Sequence, residues 1–214
     1  MAALIRMQRG WIAVCCLLIV AGCARVEEPV PVAQDPAVVV TCIAVLPAQS
    51  AVDFDQTVST AESRTLQEGV QTLNVLLREQ LQDTRKFVFL TEAQVDLIDG
   101  QSGMIDHSAL KYIASRFSCN LVLKTTLSRY SHRVGGQYGA REPAAVTFSY
   151  KLYEAETGRV LCHGRFDERQ QSVMENLFSL GKARSRGLTW ITAEQMLREG
   201  MTEKLGQCPY LVGR

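Results

Sequence analysis

Apolar residues first concentrate in a continuous run over residues 37–49, AVVVTCIAVLPAQ. A run this rich in Val and Ile, without alternation, predicts a central strand that is buried on both faces. Further along, apolar side chains recur at helical spacing at Leu66, Val70, Leu73, Leu77 and Leu81. This period predicts an amphipathic helix over about 61–83, and Ser59 with Glu62 supplies a capping box for its first turn.

A second strand and two shorter helices follow. The segment FVFL at 87–90 predicts a short strand, and Thr91 with Gln94 forms a second capping box that opens a short helix. Asp106 then precedes a helical pattern with apolar residues at Leu110, Ile113, Ala114 and Phe117. An Asp in this position predicts an N-cap for the third helix.

The pattern changes to strict alternation after Leu121. Residues 121–131 and 144–154 each alternate apolar and polar side chains, and a Gly-rich link at 132–143 joins them. A tight turn at 156–159 leads to a strand at 160–167. That strand places Val160, Cys162, Gly164 and Phe166 on one side and His163, Arg165 and Asp167 on the other. The three strands predict an antiparallel meander.

The order of elements predicts an α/β fold, a mixed sheet with flanking helices that ends in the antiparallel meander. We expect this domain to cover 37–171. A helical pattern around 172–180 and a helix opened by Thr192 with Gln195 predict a C-terminal extension, 172–214, packed on the domain. Both a two-layer and a three-layer arrangement fit the pattern.

The N-terminus carries an export signal. Arg6 and Arg9 precede a short apolar run from Trp11 to Ala21, which is too short to span a bilayer comfortably. The run ends in Val20-Ala21-Gly22-Cys23, which resembles the lipobox of bacterial lipoproteins. That resemblance implies cleavage after residue 22 and a lipid on the Cys23 sulfur. An ordinary secretory signal with a chance cysteine and an uncleaved anchor are the alternatives.

Residues 23–36 connect this anchor to the domain. The segment ARVEEPVPVAQDP is rich in proline and acids and has no apolar period, so it predicts an extended tether. At about 3.1 Å per residue such a tether reaches roughly 40 Å. Residue 24 is Ala and not Asp, which by resemblance to the enterobacterial sorting rule favours the outer membrane.

Charge and motifs exclude several functions. The chain has 23 Lys and Arg against 22 Asp and Glu, a formal charge of +1, so global electrostatics give no case for nucleic acid. The sequence contains no G-x-S-x-G, H-E-x-x-H or phosphate-binding Gly-rich motif. His107, His132 and His163 lack the clustered spacing of zinc ligands. We therefore expect no catalytic residue, no metal site and no cofactor.

Four cysteines follow Cys23, namely Cys42, Cys119, Cys162 and Cys208. In an oxidising compartment they allow three fully paired connectivities. Cys42 lies in a predicted buried strand and Cys162 on its strand's inward side, so we expect both to be free, buried residues. Cys119 and Cys208 lie at the ends of elements, where a disulfide is sterically easier.

Two surface segments are candidates for binding a partner. The first is the tip of the Gly-rich link, with Arg133, Tyr138 and Arg141, because aromatic residues and Arg are frequent in binding hot spots. The second is the basic segment with Lys182, Arg184 and Arg186, which suits anionic lipid or a polymer. For each segment, a merely solvated loop is the simpler interpretation.

Several segments together resemble one family of envelope proteins. IAVLPA, FVFLTEAQ, RFSCNLVLKTTL and FSYKLYEAETGRVLCHGRF, spread over about 38–167, resemble the N-terminal domain of the Tol-system protein TolB. They are also similar to the lipoprotein activators of penicillin-binding proteins and to the curli-secretion lipoprotein. The resemblance implies architecture more than role. The chain departs from the curli-secretion protein because it has no inserted pair of membrane-spanning strands.

These observations lead to a functional hypothesis. The chain is expected to be an outer-membrane lipoprotein that faces the periplasm and acts as a non-catalytic docking or assembly factor. Its partners would be the membrane, through the lipid, and another envelope protein. The alternative is an oligomeric subunit of a secretion or export complex. An enzyme with a site assembled from distant residues is a third hypothesis.

Overall fold

A mixed six-stranded sheet forms the centre of the molecule. The structure is a computed structural model, and it describes residues 34–51, 59–81, 86–99, 106–136, 139–171 and 189–212. The strands are β1 (Ile43–Val45), β2 (Gln49–Ser50), β3 (Phe87–Phe89), β4 (Leu121–Ser131), β5 (Val134–Gly136), β6 (Gly139–Glu142), β7 (Ala145–Glu154) and β8 (Val160–Arg169). The helices are α1 (Thr60–Leu81), α2 (Glu92–Asp99), α3 (His107–Phe117) and α4 (Ala193–Gly206).

The order along the main sheet is β3-β1-β4-β7-β8, and β2 also pairs with β4. Strands β3, β1 and β4 run parallel, whereas β4, β7 and β8 are antiparallel. The α/β class and the terminal antiparallel meander, both predicted from the sequence, are confirmed. Residues 1–33 lie outside the described part of the chain, and the described residues from 34 onward belong to one compact unit.

The central strand is shorter than the apolar run that predicted it. β1 is buried on both faces as expected, with Ile43 and Val45 in one core and Ala44 in the other. However, the strand covers three residues rather than the whole of 37–49. Before β1 the backbone bonds to the Asn120 side chain instead of to a neighbouring strand. The Asn120 amide donates to the Val39 carbonyl at 2.6 Å, and its oxygen accepts from the Thr41 N–H at 3.0 Å.

Helix α1 confirms the predicted apolar stripe and its capping box. The Ser59 N–H and hydroxyl both donate to the Glu62 carboxylate at 2.8 Å, and the Ser59 hydroxyl accepts from the Glu62 N–H at 3.2 Å. Two groups that an uncapped helix would leave unpaired are thereby satisfied. The stripe residues are buried against the sheet, and the helix ends at Leu81.

The other three predicted helix starts are also confirmed. The Thr91 hydroxyl accepts from the Gln94 N–H at 3.4 Å while the Gln94 side chain accepts from the Thr91 N–H at 2.9 Å. Asp106 caps α3 by accepting from the Ala109 N–H at 2.8 Å. Thr192 caps α4 in the same way, at 3.1 Å from the Gln195 N–H.

Two apolar cores on opposite faces of the sheet give three layers. The larger core joins α1 and α4 to one face, through residues such as Leu73, Met196 and Phe148. The smaller core joins α2 and α3 to the opposite face, through Val95 and Ile113. The choice between two and three layers, which the sequence pattern left open, is therefore three.

One inward position in the meander was predicted wrongly. Val160 was expected beside Cys162 and Phe166 on the inner side of β8, but its side chain is 40% exposed. The register explains the difference. Leu152 lies opposite Cys162, whereas its neighbour Tyr153 lies opposite Val160, so one extra residue of β8 is inserted between the two pairs. This irregularity turns Val160 away from the face that Cys162 occupies.

The prediction that Cys42 and Cys162 are free was wrong, because all four described cysteines are paired. Cys42 is bonded to Cys119, and Cys162 to Cys208. Parallel pairing of β1 with β4 sets Ile43 beside Leu121, so the residues just before the two strands meet. Cys208, two residues after the end of α4, reaches Cys162 on the inner side of β8 in the larger core. Neither approach is visible before the sheet order is known.

Candidate docking surfaces

The link between β4 and β7 is a short two-stranded arm. β5 and β6 pair antiparallel in a sheet of their own, with Val134 opposite Glu142 and Gly136 opposite Gly139. Gly135 has φ +123°, and a Cβ there would come within 2.6 Å of the Gly139 carbonyl oxygen. Only glycine fits that backbone without strain. The segment predicted as a Gly-rich link therefore contains two paired strands, 134–136 and 139–142, which we call the arm.

The base of the arm is fastened to two other elements. The Arg133 guanidinium donates to the backbone carbonyl of Trp190, in the segment before α4. His132 lies 3.7 Å from the Glu68 carboxylate on α1 and packs edge-on against the Tyr130 ring. These contacts fix where the arm leaves the domain, while most of the described arm residues are exposed.

The arm and the start of the described chain lie at opposite ends of the sheet. β4 runs toward the arm and β7 runs back to the β7–β8 turn. At that turn Arg159 pairs with Asp35 at 3.0 Å, and the Asp35 N–H donates to the Tyr210 hydroxyl at 2.7 Å. We call this the entry end and the opposite one the arm end. β7 has ten residues, so roughly 30 Å separates the two ends at about 3.3 Å per residue.

The structure describes only two of the residues predicted to bind a partner. Arg133 is half-buried on the Trp190 carbonyl, so it holds the arm base in place. Arg141 lies exposed on β6. The remaining candidates, like the lipidation site, lie outside the described residues: Cys23, Tyr138, Lys182, Arg184 and Arg186.

A second surface, which the sequence pattern did not predict, lies on the side of β4, β7 and β8 that faces away from α1 and α4. Its side chains come from alternate positions of three strands and form what we call the polar face: Lys124, Arg129, Lys151, His163, Arg165, Asp167 and Arg169. Alternation in β8 had placed His163, Arg165 and Asp167 together. The register of the strands cannot be read from the sequence, and only their pairing brings Lys124 of β4 and Lys151 of β7 beside the β8 residues.

Asp167 is the carboxylate at the centre of the polar face. It accepts from the Thr147 hydroxyl at 3.0 Å and pairs with Arg165 at 3.2 Å and with Arg129. Partial burial alone would raise the pKa of Asp167. The Thr147 hydrogen bond and the two guanidinium groups outweigh that effect and hold the pKa below its ordinary value of 3.8. This carboxylate is therefore ionised at neutral pH.

The three histidines occupy separate places. His107 contacts the Glu156 carbonyl at 3.0 Å near the entry end, His132 lies at the arm base, and His163 lies on the polar face. Within the described ranges no three His, Cys, Asp or Glu side chains are grouped as metal ligands. None of the helices described has the length and apolar character that crossing a membrane requires.

Comparison with known proteins gives matches among solved structures. No protein-family model and no curated protein matches the sequence. The LpoB C-terminal domain from Salmonella enterica is 17% identical over 63% of this chain and 87% of that chain, with a TM-score of 0.35. A lipoprotein from Neisseria meningitidis is 17% identical over 68% and 93% of the two chains, with a TM-score of 0.37.

A third match is a PelC dodecamer from Paraburkholderia phytofirmans, 9% identical over 78% of this chain and 86% of that chain, with a TM-score of 0.42. The descriptions of these structures match the family resemblance predicted from the sequence. The likeness concerns the fold alone, a mixed sheet with flanking helices.

Proposed function

We propose that this chain is a lipid-anchored envelope lipoprotein that docks on another envelope protein through its arm end and has no catalytic role of its own. Cys23 carries the lipid, residues 24–36 form the tether, and the domain faces the periplasm from the outer membrane. The proposal assigns Arg141 and the arm around it to partner contact. Lys182, Arg184 and Arg186 are a second candidate contact.

The observation that carries the proposal is the separation of the two ends. Asp35, where the tether meets the domain, is held at the entry end by Arg159 and Tyr210. The arm leaves from the arm end, about ten strand residues away. The point where the chain enters the domain and the arm therefore lie at opposite ends of the sheet, which suits a tethered docking module.

The disulfides support the proposed compartment. Cys42–Cys119 and Cys162–Cys208 use every cysteine after the proposed lipidation site. Structural disulfides persist in oxidising compartments such as the periplasm and are rare in the cytosol. Their presence is independent of the V-A-G-C signal, and both favour export.

The arm has the form of a recognition element. A two-stranded ribbon has two outer edges whose backbone groups can pair with an added strand of a partner. Val134 is 40% exposed and Arg141 is exposed, so an apolar and a cationic side chain lie beside these edges. Arginine in particular is frequent in binding hot spots.

Site-specific crosslinking tests the proposal. A photo-reactive amino acid replaces Arg141 on the arm or, as the matched control, Lys86, an exposed lysine at the entry end beside Ile43. We expect irradiation of living cells to give one discrete heteromeric adduct from position 141 and none from 86. Mass spectrometry then identifies the partner.

Three results would contradict the proposal. Adducts of equal yield at both positions would mean that the arm has no special role. A ladder of self-adducts from position 141 would favour the oligomeric export subunit instead. Full release of a Cys23→Ser variant into the medium or periplasm is expected, so membrane retention of that variant would contradict the lipid anchor.

A further inference from the structure

Exposed apolar side chains concentrate at the entry end. Among the described residues seven large apolar side chains are exposed, and three of these form what we call the valine patch: Val39 (73% exposed), Val160 (40%) and Val212 (49%). Each lies within four residues of the junction at which Asp35 pairs with Arg159 and its N–H donates to the Tyr210 hydroxyl. The other four are spread over α1, α2, α3 and the arm.

Folding does not account for the valine patch. Val39 precedes β1 and Val212 follows α4, so the preference of valine for strands explains neither of them. The packing at this point is supplied by Val38, which is buried in the larger core while Val39 beside it is exposed. A polar residue at position 39 would cost the core nothing. Exposed apolar residues that gather in one place mark an interaction surface.

The charged groups around the valine patch compensate one another. Arg159 pairs with Asp35 at 3.0 Å and with Glu154 at 3.4 Å, and Lys111 pairs with Glu156 at 3.0 Å. These ion pairs leave no excess of positive charge that would attract a polyanion. An apolar surface with paired charges fits the interfacial region of a bilayer, where polar headgroups lie directly above apolar chains.

The chain that leads to the proposed lipidation site leaves the domain at the same junction. Eleven residues, 24–34, separate Cys23 from Asp35. Fully extended they reach about 34 Å, and a flexible segment of this length spans roughly 20 Å on average. A bilayer that holds the lipid therefore lies within reach of the valine patch. Linkage of this kind gives an effective concentration of about millimolar, so a contact made by three valines needs little affinity of its own.

We propose that the valine patch contacts the bilayer that holds the lipid, with its side chains at the boundary between headgroups and acyl chains. Side chains in such interfacial contacts are buried about 5–10 Å deep. The proposal rests on the lipid anchor of the proposed function and not on docking by the arm. The arm, roughly 30 Å away along β7, stays free for a protein partner.

Quenching of tryptophan fluorescence by brominated lipid tests the proposal. The lipidated protein is purified from membranes and reconstituted in phosphatidylcholine vesicles whose acyl chains do or do not carry bromine. Val39→Trp reports on the valine patch, and Val134→Trp, at an exposed valine of the arm, is the matched control. Both proteins also carry Trp190→Phe, so the introduced tryptophan is the single one after removal of the signal with Trp11.

A second pair of variants tests the valines themselves. Val160→Asp/Val212→Asp is introduced into the Val39→Trp protein and places two charges in the valine patch. Val75→Asp/Val134→Asp makes the same change at two exposed valines outside it and is the matched control. Thermal unfolding should give equal midpoints for both, because all four positions are exposed.

We expect brominated lipid to quench the tryptophan at position 39 at least about threefold more than the one at position 134, given the depth of an interfacial contact. The two aspartates in the valine patch should abolish this difference, because a carboxylate is costly to remove from water. The control pair should leave it unchanged, and so should replacement of the arm. Flotation of each protein with the vesicles measures the lipid anchor separately.

Several results would overturn the proposal. Equal quenching at positions 39 and 134 in protein that floats with the vesicles would leave the anchor intact and remove the contact. Selective quenching that survives Val160→Asp/Val212→Asp would mean that the valines do not make the contact. A blue shift of the position 39 emission that depends on protein concentration without vesicles would assign the valine patch to a second copy. Loss of flotation would remove the anchor and this proposal together.

Discussion

The entry end and the arm end are built in opposite ways. The entry end has two disulfides, the Asp35–Arg159 ion pair and the Tyr210 hydrogen bond, so chain segments far apart in sequence are tied together. At the arm end a two-stranded ribbon projects from a base held by Arg133 and His132. The disulfides are concentrated where residue 35 enters the domain, and the proposed docking surface lies at the far end. Substitutions should therefore separate the two properties.

The largest expected effect is at the entry end, on removing the Cys42–Cys119 disulfide. The two residues are 77 positions apart, and chain entropy for a loop of that length gives about 4.5 kcal/mol of stabilisation. Cys42→Ser/Cys119→Ser should lower the free energy of unfolding by about this amount, as measured in urea. Cys162→Ser/Cys208→Ser is a second variant at the entry end, whose separation of 46 predicts about 4 kcal/mol. A loss below about 1 kcal/mol in both variants would contradict the contrast between the ends.

The second prediction concerns the packing under the arm base. Gly69 of α1 lies so close to Tyr130 that a Cβ would come within 2.5 Å of the ring. Gly69→Ala should gain helix propensity of up to about 1 kcal/mol but lose more through overpacking, for a net destabilisation of roughly 1–2 kcal/mol. Gly206→Ala is the control, because a Cβ there meets nothing within 4 Å. Equal unfolding midpoints for the two variants would show that the arm base is loosely packed.

The helix starts were fully predictable because capping is local chemistry. Ser59 with Glu62, Thr91 with Gln94, and Asp106 each act within three residues, so sequence spacing alone identifies them. The apolar stripe of α1 was predictable for the same reason. The strand boundary at β1 was not, because Asn120, distant in sequence, binds the backbone there.

Features that depend on strand order could not be predicted from the sequence pattern. The Cys42–Cys119 pairing needs β1 beside β4 in parallel, and the polar face needs the register of Lys124 on Lys151. The exposure of Val160 depends on one irregularity in that register. The predicted binding residues were the least accurate part. Arg133 was chosen by residue type, and its hydrogen bond to the Trp190 carbonyl appears only in the folded chain.

The third prediction concerns acid stability of the entry end. A hydrogen bond from the Ala37 N–H, together with the Arg159 guanidinium, holds the pKa of Asp35 below its ordinary value of 3.8. A carboxyl whose pKa is depressed by folding stabilises the folded state above the ordinary value, and this contribution is lost as pH falls through the folded pKa. At pH values below about 3.8 the urea concentration at the midpoint should therefore decrease as the pH falls. The decrease should be less steep in Asp35→Asn. Parallel curves for the two proteins would contradict a role for Asp35 at this end.

The smallest expected change in stability is at Arg141. Its side chain is exposed on β6, so Arg141→Ala should alter the free energy of unfolding by less than about 0.5 kcal/mol. Arg133→Ala is the matched comparison on the same segment, because it breaks the bond to the Trp190 carbonyl. That variant should lose roughly 1–2 kcal/mol in the same urea titration. The reverse order would mean that the arm base and the arm have been assigned the wrong roles.

The central claim is that the arm serves docking and not folding, and one variant tests it directly. Residues 135–141 are replaced by an Asn-Gly turn, which keeps Arg133 and its bond to Trp190. Thermal unfolding and the yield of partner adduct in cells, from a chemical crosslinker applied to the envelope, are measured on the same variant. The account predicts an unchanged thermal midpoint and loss of the adduct. A midpoint lowered by several degrees, or an adduct yield equal to that of the wild type, would contradict it.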